Sequence, residues 1–450
     1  MSDIRGGRDL TRGPLAKQIM RFSLPLIFTN LLQVLFNMAD VAVVGRFAGP
    51  MALGSVGSTT ILASMFIWFI IGMGSGINVL TATCFGAKDR RALRETVHSA
   101  ALLSLIIGAA MLAVGVSGTR FLLELLNTKP ELLEGAVTYL RICFLGMPAL
   151  MLYNFGNAVF SAVGETRKPM IFLTVAGILN VALNLFFVIG CGMAEAGVAI
   201  ATVTAQYVSA VLTVGALFRS RTDYGLCLGE LRLTGVRVRK LLSFGIPAGL
   251  QSSAYSIANL FVQVGVNSFD AVLVAGNSAA TNADNLVYDV MAAFYTACGS
   301  FIGQNCGAGN RERVRRSYLI SLGYSFGVGL VMGVALRIFG LPFLFLFTKD
   351  PLVAEMGLKR LNIMSLSYCV SAFMDCTVAA NRGLGKNAVP TVFMFLGSCV
   401  FRIFWIFTVF AHYGTIPSLY LLYVCSWTLT GVLETGYFIR VYRRWAKSIA

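Results

Sequence analysis

Twelve long apolar segments constrain this chain more than any other feature of its sequence. They are bounded by charged residues, glycine or proline, and they lie at residues 19–44, 52–80, 95–117, 134–162, 169–190, 197–219, 239–267, 277–304, 316–338, 354–383, 390–412 and 417–441. A helix of each length can cross a hydrocarbon core about 30 Å thick. Lipid offers no partners to backbone N–H and C=O groups, so an isolated crossing segment satisfies them itself as a helix. The sequence therefore predicts an all-α polytopic membrane protein with twelve transmembrane helices.

The distribution of charge predicts the orientation of these helices. Only 12% of the 450 residues are charged, whereas soluble domains have about 25%. The net charge is +16, and 27 of the 36 Lys and Arg residues lie in alternate connections, at 1–21, 88–94, 167–168, 219–240, 311–316, 382–386 and 440–447. By the positive-inside rule these connections and both termini are cytoplasmic. We therefore expect a multi-pass protein of the inner or plasma membrane, and this account of the charge leaves no reason to expect a nucleic-acid partner. No cleavage site follows the basic N-terminus, so we expect the first span to be retained.

The two halves of the chain repeat one another at an offset of about 221 residues. Gly86-Ala-Lys-Asp matches Gly307-Ala-Gly-Asn, and Pro25 matches Pro247. Each half holds six spans, an even number, so both halves start on the same side of the membrane and form parallel repeats. We predict an N-terminal six-helix bundle (residues 1–218), a cytoplasmic linker (219–238) and a C-terminal six-helix bundle (239–450). In transporters of this kind the substrate cavity lies centrally, between the repeats.

The first span carries a polar stripe that ends in a carboxylate. Asn30, Gln33, Asn37 and Asp40 are spaced so that they share one face of a helix. A charged side chain at membrane depth costs about 2.5–3.5 kcal/mol on insertion scales. The stripe must therefore face protein or a water-filled cavity. We interpret Asp40 as a functional acid; the alternative is a buried acid held by a structural hydrogen bond or ion pair.

Three polar side chains are expected at the same depth as Asp40. Asn180 and Asn184 are four residues apart on span 5 and share a face, and Thr202 lies near the start of span 6. One carboxylate, two amides and a hydroxyl provide oxygen ligands that suit a hard monovalent cation, or a proton carried by the acid. We predict that these four residues form a cation- or proton-coupling site.

Other polar residues within the spans are candidates for the substrate cavity. They are Tyr153 and Asn157 on span 4, Tyr255, Asn259 and Gln263 on span 7, Asp284, Tyr288 and Asp289 on span 8, and Asp375 on span 10. The alternatives are interhelical hydrogen bonding for span 7 and proximity to water for the end of span 8. An unpaired Arg402 on span 11 would cost free energy at membrane depth. We therefore predict an ion pair with Asp375 or Glu434, with a role in transport as the alternative.

The sequence lacks the motifs of several other functions. The nearest run to a phosphate-binding loop, Gly383-Leu-Gly-Lys-Asn, has neither the spacing nor the hydroxyl residue. No nucleophile elbow occurs, and the ten cysteines are scattered without a CxxC pair. We expect no enzyme activity, no metal site and no cofactor, and an ion gradient of H⁺ or Na⁺ as the energy source.

These features together resemble the multidrug and toxin extrusion family, within the superfamily of polysaccharide and lipid flippases. The resemblance covers about residues 10–445, and it is carried by Leu24-Pro25, Asp40, Gly45, the paired Gly86 and Gly307 loops, the Arg382-Gly-Leu-Gly segment, and Asn180 to Asn184. It implies a V-shaped pair of six-helix bundles that export cationic or amphipathic compounds against entry of H⁺ or Na⁺.

The resemblance also implies a cation site at Asp40, Asn180 and Thr202. Members of the family often have a second acid where this chain has Asn184, so the sequence departs from the family at that position and favours protons over a tight Na⁺ site. In some members an acid on span 7 binds the ion, but the corresponding stripe here offers Tyr255.

We predict a secondary active multidrug antiporter with Asp40 as its coupling carboxylate. Its partners would be cationic or amphipathic small molecules and the lipid bilayer, and we expect a monomer. The alternative within the same superfamily is a flippase for a lipid-linked precursor, which would need a strongly cationic cavity. A membrane receptor or scaffold without transport is a third class, which flux measurements would separate.

Overall fold

Helices make up 87% of the chain in the computed structural model, which describes residues 5–449, and no strand occurs within that range. The helices of the first half cover the first six predicted spans. They are α1 (Leu15–Val43), α2 (Gly49–Gly86), α3 (Arg90–Leu125), α4 (Pro130–Leu145), α5 (Met147–Ala162), α6 (Arg167–Leu185) and α7 (Glu195–Arg219). Helices α4 and α5 form one predicted span with a bend of 43°.

The second half repeats this pattern over the other six spans. Its helices are α8 (Gly235–Val266), α9 (Ala271–Gly307), α10 (Arg311–Leu344), α11 (Pro351–Met364), α12 (Tyr368–Gly383), α13 (Ala388–Met394), α14 (Phe401–Trp405), α15 (Ala411–Tyr413) and α16 (Ile416–Ser448). A 3₁₀ turn at Ser365–Ser367 joins α11 to α12, and π-helical turns at Phe395–Val400 and Ile406–Phe410 interrupt the eleventh predicted span.

Length and composition support membrane crossing for most of these segments. Within the described residues, nine helical stretches are long and apolar enough to cross a membrane, or ten if the bent pair α4–α5 is one span. One stretch, Leu15–Gly86, has 72 residues and contains both α1 and α2, so it corresponds to two predicted spans. Helix α8 is the one predicted span outside this set, because polar residues such as Gln251, Asn259 and Gln263 lower its mean hydropathy. The helix bounds thus follow the twelve predicted spans, and the all-helical architecture is confirmed.

The chain forms two compact units that exchange the ends of two helices. Of the described residues, unit 1 contains 5–9 together with Phe28–Gly249, and unit 2 contains Leu10–Ile27 together with 250–449. The sequence had indicated boundaries at 218 and 239, so the division differs at two places. The segment predicted as a linker lies in unit 1, and the first part of α1 lies in unit 2.

Both exchanges occur two residues after a proline inside a helix. Pro25 precedes the change of unit between Ile27 and Phe28, and Pro247 precedes the change between Gly249 and Leu250. Proline removes a backbone donor and its ring crowds the preceding turn, which weakens a helix at that point. The two halves of each helix can therefore pack in different units. In unit 2, for example, the Phe22 ring of α1 packs edge-on against Phe301.

The repeated four-residue motif, at residues 86–89 and 307–310, occurs where one helix ends and the next begins. Its third residue has a left-handed backbone at both sites, with φ 55° at Lys88 and 69° at Gly309. Its fourth residue caps the next helix: Asp89 accepts a hydrogen bond from the backbone of α3, and Asn310 accepts one from α10. The motif therefore ends one helix and starts the next, so its recurrence reflects the fold.

Candidate functional site

Asp40 lies near the end of α1 and contacts two helices that follow it at a distance in the sequence. The Asn184 amide nitrogen donates to Oδ1 of Asp40 at 2.5 Å, and the Thr202 hydroxyl donates to Oδ2 at 3.1 Å. Asn180 donates its amide nitrogen to the Thr202 hydroxyl at 3.2 Å, and its carbonyl oxygen accepts from Asn184 at 3.4 Å. All four residues predicted for the coupling site therefore meet in one hydrogen-bonded ring within unit 1.

The packing of α6 on α1 explains how the ring forms. Gly177, Asn180 and Asn184 share one face of α6, because their spacing of three and four residues follows the helical repeat. A Cβ atom at Gly177 would lie 1.7 Å from the ring of Phe36, so the glycine leaves the space that this ring occupies. Asp40 follows Phe36 by one helical turn. The contact between Gly177 and Phe36 therefore places Asp40 beside the two asparagines.

Buried apolar residues lie immediately beyond the ring. They form a cluster made of Val43, Val44, Ala52, Val188 and Val198. Two of the three helices that supply the ring change to a π-helical turn at this level, at Val44–Ala48 after α1 and at Phe186–Gly190 after α6. Such single π turns are frequent at functional sites.

The ring leaves one buried oxygen without a partner. Asn184 has no solvent exposure, and its Oδ1 accepts no hydrogen bond within the described part of the chain. Asn180 is also buried, whereas Asp40 and Thr202 are half-buried. A buried acceptor beside a carboxylate can receive a proton donor or contribute to the coordination of a small cation. The arrangement can therefore hold a monovalent cation or a proton.

The other predicted polar residues of unit 1 lie on α1 and α5. Asn30 is half-buried, and Gln33 and Asn37 are exposed on α1. On α5, Tyr153 is buried and Asn157 is half-buried, and the Tyr153 hydroxyl and the Asn157 Oδ1 find no hydrogen-bond partner among the residues that the structure describes.

In unit 2, the predicted stripe on span 7 contacts Arg402. The guanidinium donates to Oδ1 of Asn259 at 3.1 Å and to the Ser426 hydroxyl at 3.3 Å. It also lies 5.3 Å from the ring centroid of Tyr255 and 4.6 Å from that of Tyr423. Gln263, farther along the stripe, donates instead to Asn267 at 2.8 Å.

The ion pair predicted for Arg402 is replaced by these neutral contacts. Among residues 5–449, no carboxylate oxygen lies within the 4.0 Å ion-pair distance of the Arg402 guanidinium. Glu434 accepts instead from the Asn381 amide at 2.9 Å, and Oδ2 of Asp375 accepts no hydrogen bond in the described chain. The physical reason is that aromatic faces and neutral oxygens satisfy this buried guanidinium.

A different arginine forms the buried ion pair. Arg360 on α11 donates to Asp284 and to Asn277 on α9, and the Tyr368 hydroxyl donates to the other oxygen of Asp284. Arg360 is 4% exposed, and its guanidinium lies 5.1 Å from the ring centroid of Tyr420. Asp284 is thus paired within unit 2, unlike the free cavity acid that its sequence position predicted. Opposite charges within spans 8 and 10 were the sequence signal for this pair.

Two predicted cavity residues remain near Asp284 on α9. Tyr288 is 41% exposed, and its ring centroid lies 6.2 Å from that of Tyr295. Asp289 is half-buried.

These observations define the class of this protein as a polytopic membrane transporter. It has two repeats of apolar helices, and inside them Asp40 accepts from an amide and a hydroxyl. Enzymatic chemistry is not part of that class. The chain belongs to the MatE family, whose model matches residues 25–186 and again residues 247–408. The internal repeat is therefore a repeat of the family domain itself.

Individual relatives agree with this assignment. The chain is 27% identical over 366 residues to the probable multidrug resistance protein YpnP of Bacillus subtilis, covering 80% of each chain. It is 25% identical over 397 residues to the probable multidrug resistance protein NorM of Thermotoga maritima, covering 84% of this chain and 82% of the relative. Among solved structures, an outward-facing multidrug resistance MATE family transporter of the MOP superfamily matches with a TM-score of 0.92. That match has 22% identity and covers 99% of this chain and 100% of the other, and it shows the fold.

Proposed function

We propose that this chain is a secondary active antiporter that exports cationic or amphipathic small molecules while a cation enters, with Asp40 as the coupling carboxylate. The observation that carries the proposal is the ring in which Asn184 and Thr202 both donate to Asp40. The names of the two relatives, both probable multidrug resistance proteins, support small organic molecules as the cargo.

Proton binding would force this ring to rearrange. An ionised carboxylate accepts both hydrogen bonds, from Asn184 and from Thr202. A protonated Asp40 carries a donor of its own on one oxygen, so a partner that faces this hydrogen has to accept it or turn away. The Thr202 hydroxyl can rotate to accept, whereas the Asn184 amide nitrogen cannot. The change would be passed on through α1, because this helix contributes to both units and contains Pro25. Such a cycle requires that the cation bind the two states with different affinity.

We propose H⁺ as the coupling ion and Na⁺ as the alternative. The ring contains a single carboxylate, and Asn184 presents its amide nitrogen, a donor, to that carboxylate. A bound Na⁺ needs oxygen atoms at this position. The same nitrogen also donates to the carbonyl oxygen of Asn180, which supports this orientation of the amide.

Dye efflux from proteoliposomes tests the proposal when the two gradients are imposed separately. We expect efflux when the external side is acidic and no Na⁺ gradient exists, and no efflux with a Na⁺ gradient at equal pH. Efflux driven by a Na⁺ gradient alone would show that Na⁺ is the coupling ion, and the proposed antiport would still hold. Absence of gradient-driven efflux under both conditions would contradict the antiport, and a scaffold without transport would then be favoured.

Replacing Asn184 by aspartate is expected to create Na⁺ dependence. Two adjacent carboxylates repel each other at neutral pH, and a cation bound between them relieves the repulsion. We expect Asn184→Asp to export dye under a Na⁺ gradient that leaves the wild type inactive. Asn127→Asp, the same change in an exposed loop, is the control. A variant that ignores Na⁺ as the wild type does would contradict this account of the ring.

The proposed orientation, with both termini in the cytoplasm, is tested by two exposed cysteines. Cys191 follows α6 on the predicted outer side, and Cys227 lies in the connection between α7 and α8 on the predicted inner side. A membrane-impermeant thiol reagent is expected to label Cys191 on intact cells and Cys227 only in inside-out vesicles, with Cys191→Ser and Cys227→Ser as controls. The reverse pattern would invert the topology.

A further inference from the structure

The two family matches assign counterparts to three residues of the Asp40 ring; Thr202 lies outside the matched ranges. They run over residues 25–186 and 247–408, so both ends are displaced by 222 positions. At this displacement Asn180 corresponds to Arg402, and Asp40 corresponds to Val262. The points at which α1 and α8 change unit, after Ile27 and after Gly249, obey the same displacement. The counterpart of the cation site in unit 2 therefore contains an arginine and lacks the acid.

The contacts of Arg402 correspond to those of Asn180. Asn180 contacts Thr202, the eighth residue of α7, and Arg402 lies over the ring of Tyr423, the eighth residue of α16. On the other side, Arg402 donates to Asn259, which corresponds to Asn37 of α1 at the displacement of 222. The Arg402 guanidinium thus lies among α8, α14 and α16. These are the counterparts in unit 2 of the three helices that surround Asp40 in unit 1.

The surroundings of Arg402 are those of a bound cation. The side chain is 2% exposed, and it contacts an amide oxygen, a hydroxyl and two aromatic faces. Neutral oxygens and aromatic faces are groups that bind organic and monovalent cations. Within residues 5–449, the guanidinium has no carboxylate at ion-pair distance. A second cation at this place would be repelled by the charge already present.

We propose that Arg402 is a tethered cation that permanently fills the unit 2 counterpart of the Asp40 site, so that cation exchange is confined to unit 1. The first part of the proposal stands on the contacts of Arg402 and on the correspondence between the two halves. The second part rests on the proposed antiport.

Guanidinium rescue tests the first part on purified protein. Arg402→Ala removes the guanidinium and leaves a space of matching shape, so we expect a lower melting temperature than in the wild type. Millimolar guanidinium chloride is expected to raise the melting temperature of this variant by several degrees over the same concentration of potassium chloride, because a ligand that binds the folded state stabilises it. The wild type and Arg337→Ala, which alters an exposed arginine of α10, should show no such rise. Absence of the rise in Arg402→Ala would overturn the proposal.

A second pair of variants keeps the proposal testable if Arg402→Ala does not fold. Arg402→Lys retains a positive charge, whereas Arg402→Met has a similar length without charge. We expect the Lys variant to melt close to the wild type and the Met variant to melt lower. Equal melting of the two variants, or higher melting of the Met variant, would show that the position needs no charge and would overturn the proposal.

Flux measurements test whether cation exchange in unit 1 requires the Arg402 position of unit 2 to be filled. In proteoliposomes, Arg402→Ala is expected to export dye only when guanidinium is added, whereas wild-type export is unaffected by the same addition. Export by the variant without guanidinium would overturn the claim that this position must be filled. Failure of wild-type export would contradict the antiport only. It would leave the first part of the proposal intact, because the melting experiments do not depend on transport.

Discussion

Asp40→Asn is expected to abolish ion-driven export while leaving the protein folded in the membrane. Asparagine keeps the shape of the side chain and still accepts a hydrogen bond from Thr202, but it cannot take up or release a proton at any pH. Since the proposed cycle depends on the charge of Asp40, export should fall to background at every pH. The measurement is drug resistance of cells that express the variant, together with dye efflux from proteoliposomes under a pH gradient.

A control variant at another carboxylate distinguishes loss of coupling from loss of the fold. Asp350→Asn makes the same chemical change at the exposed N-terminus of α11, where Asp350 accepts from the Leu352 backbone at 2.9 Å. Asparagine caps a helix as well as aspartate does, so this control should export normally. We expect all three proteins to melt at similar temperatures. Normal resistance with Asp40→Asn would contradict the coupling role of Asp40.

The helical segments could be predicted from the sequence because apolar length is a local property. The two exchanged helix ends could not. The apolar character of α1 continues through Pro25, and the unit in which the residues before and after Ile27 pack depends on partners far along the chain, such as Phe301 for Phe22. The sequence located both prolines as equivalent positions of a repeat, but a proline alone does not show that packing changes there.

The Asp40 ring could be predicted because polar residues are rare in apolar segments. With the direction of each span given by the charged loops, few side chains could share the depth of Asp40, and Asn184 and Thr202 were among them. The partners of Arg402 were harder to predict, because a search for carboxylates overlooks neutral partners such as Asn259 and the ring of Tyr423.

Arg360→Met is expected to destabilise unit 2 strongly. Arg360 is buried and donates to Asp284, whose other oxygen accepts from Tyr368. Removing one partner of a buried ion pair leaves an uncompensated charge and costs about 3–5 kcal/mol. The measurement is the melting temperature of the purified protein in detergent. Lys359→Met is the matched control, because the neighbouring Lys359 is exposed and its distance to Glu355 is 3.8 Å. An exposed pair of this kind is worth about 0–1 kcal/mol, so this control should melt close to the wild type.

A double variant separates the charge of Arg360 from its packing. Asp284→Asn, added to Arg360→Met, removes the carboxylate that was left unpaired and keeps a side chain that hydrogen-bonds Tyr368. If the unpaired charge is the main cause of destabilisation, the double variant should melt above Arg360→Met, and the two changes should be non-additive. Melting of Arg360→Met at the temperature of Lys359→Met would show that the pair contributes little. A double variant that melts lowest of all would assign the effect to lost packing against Tyr420, since the Arg360 guanidinium lies over that ring.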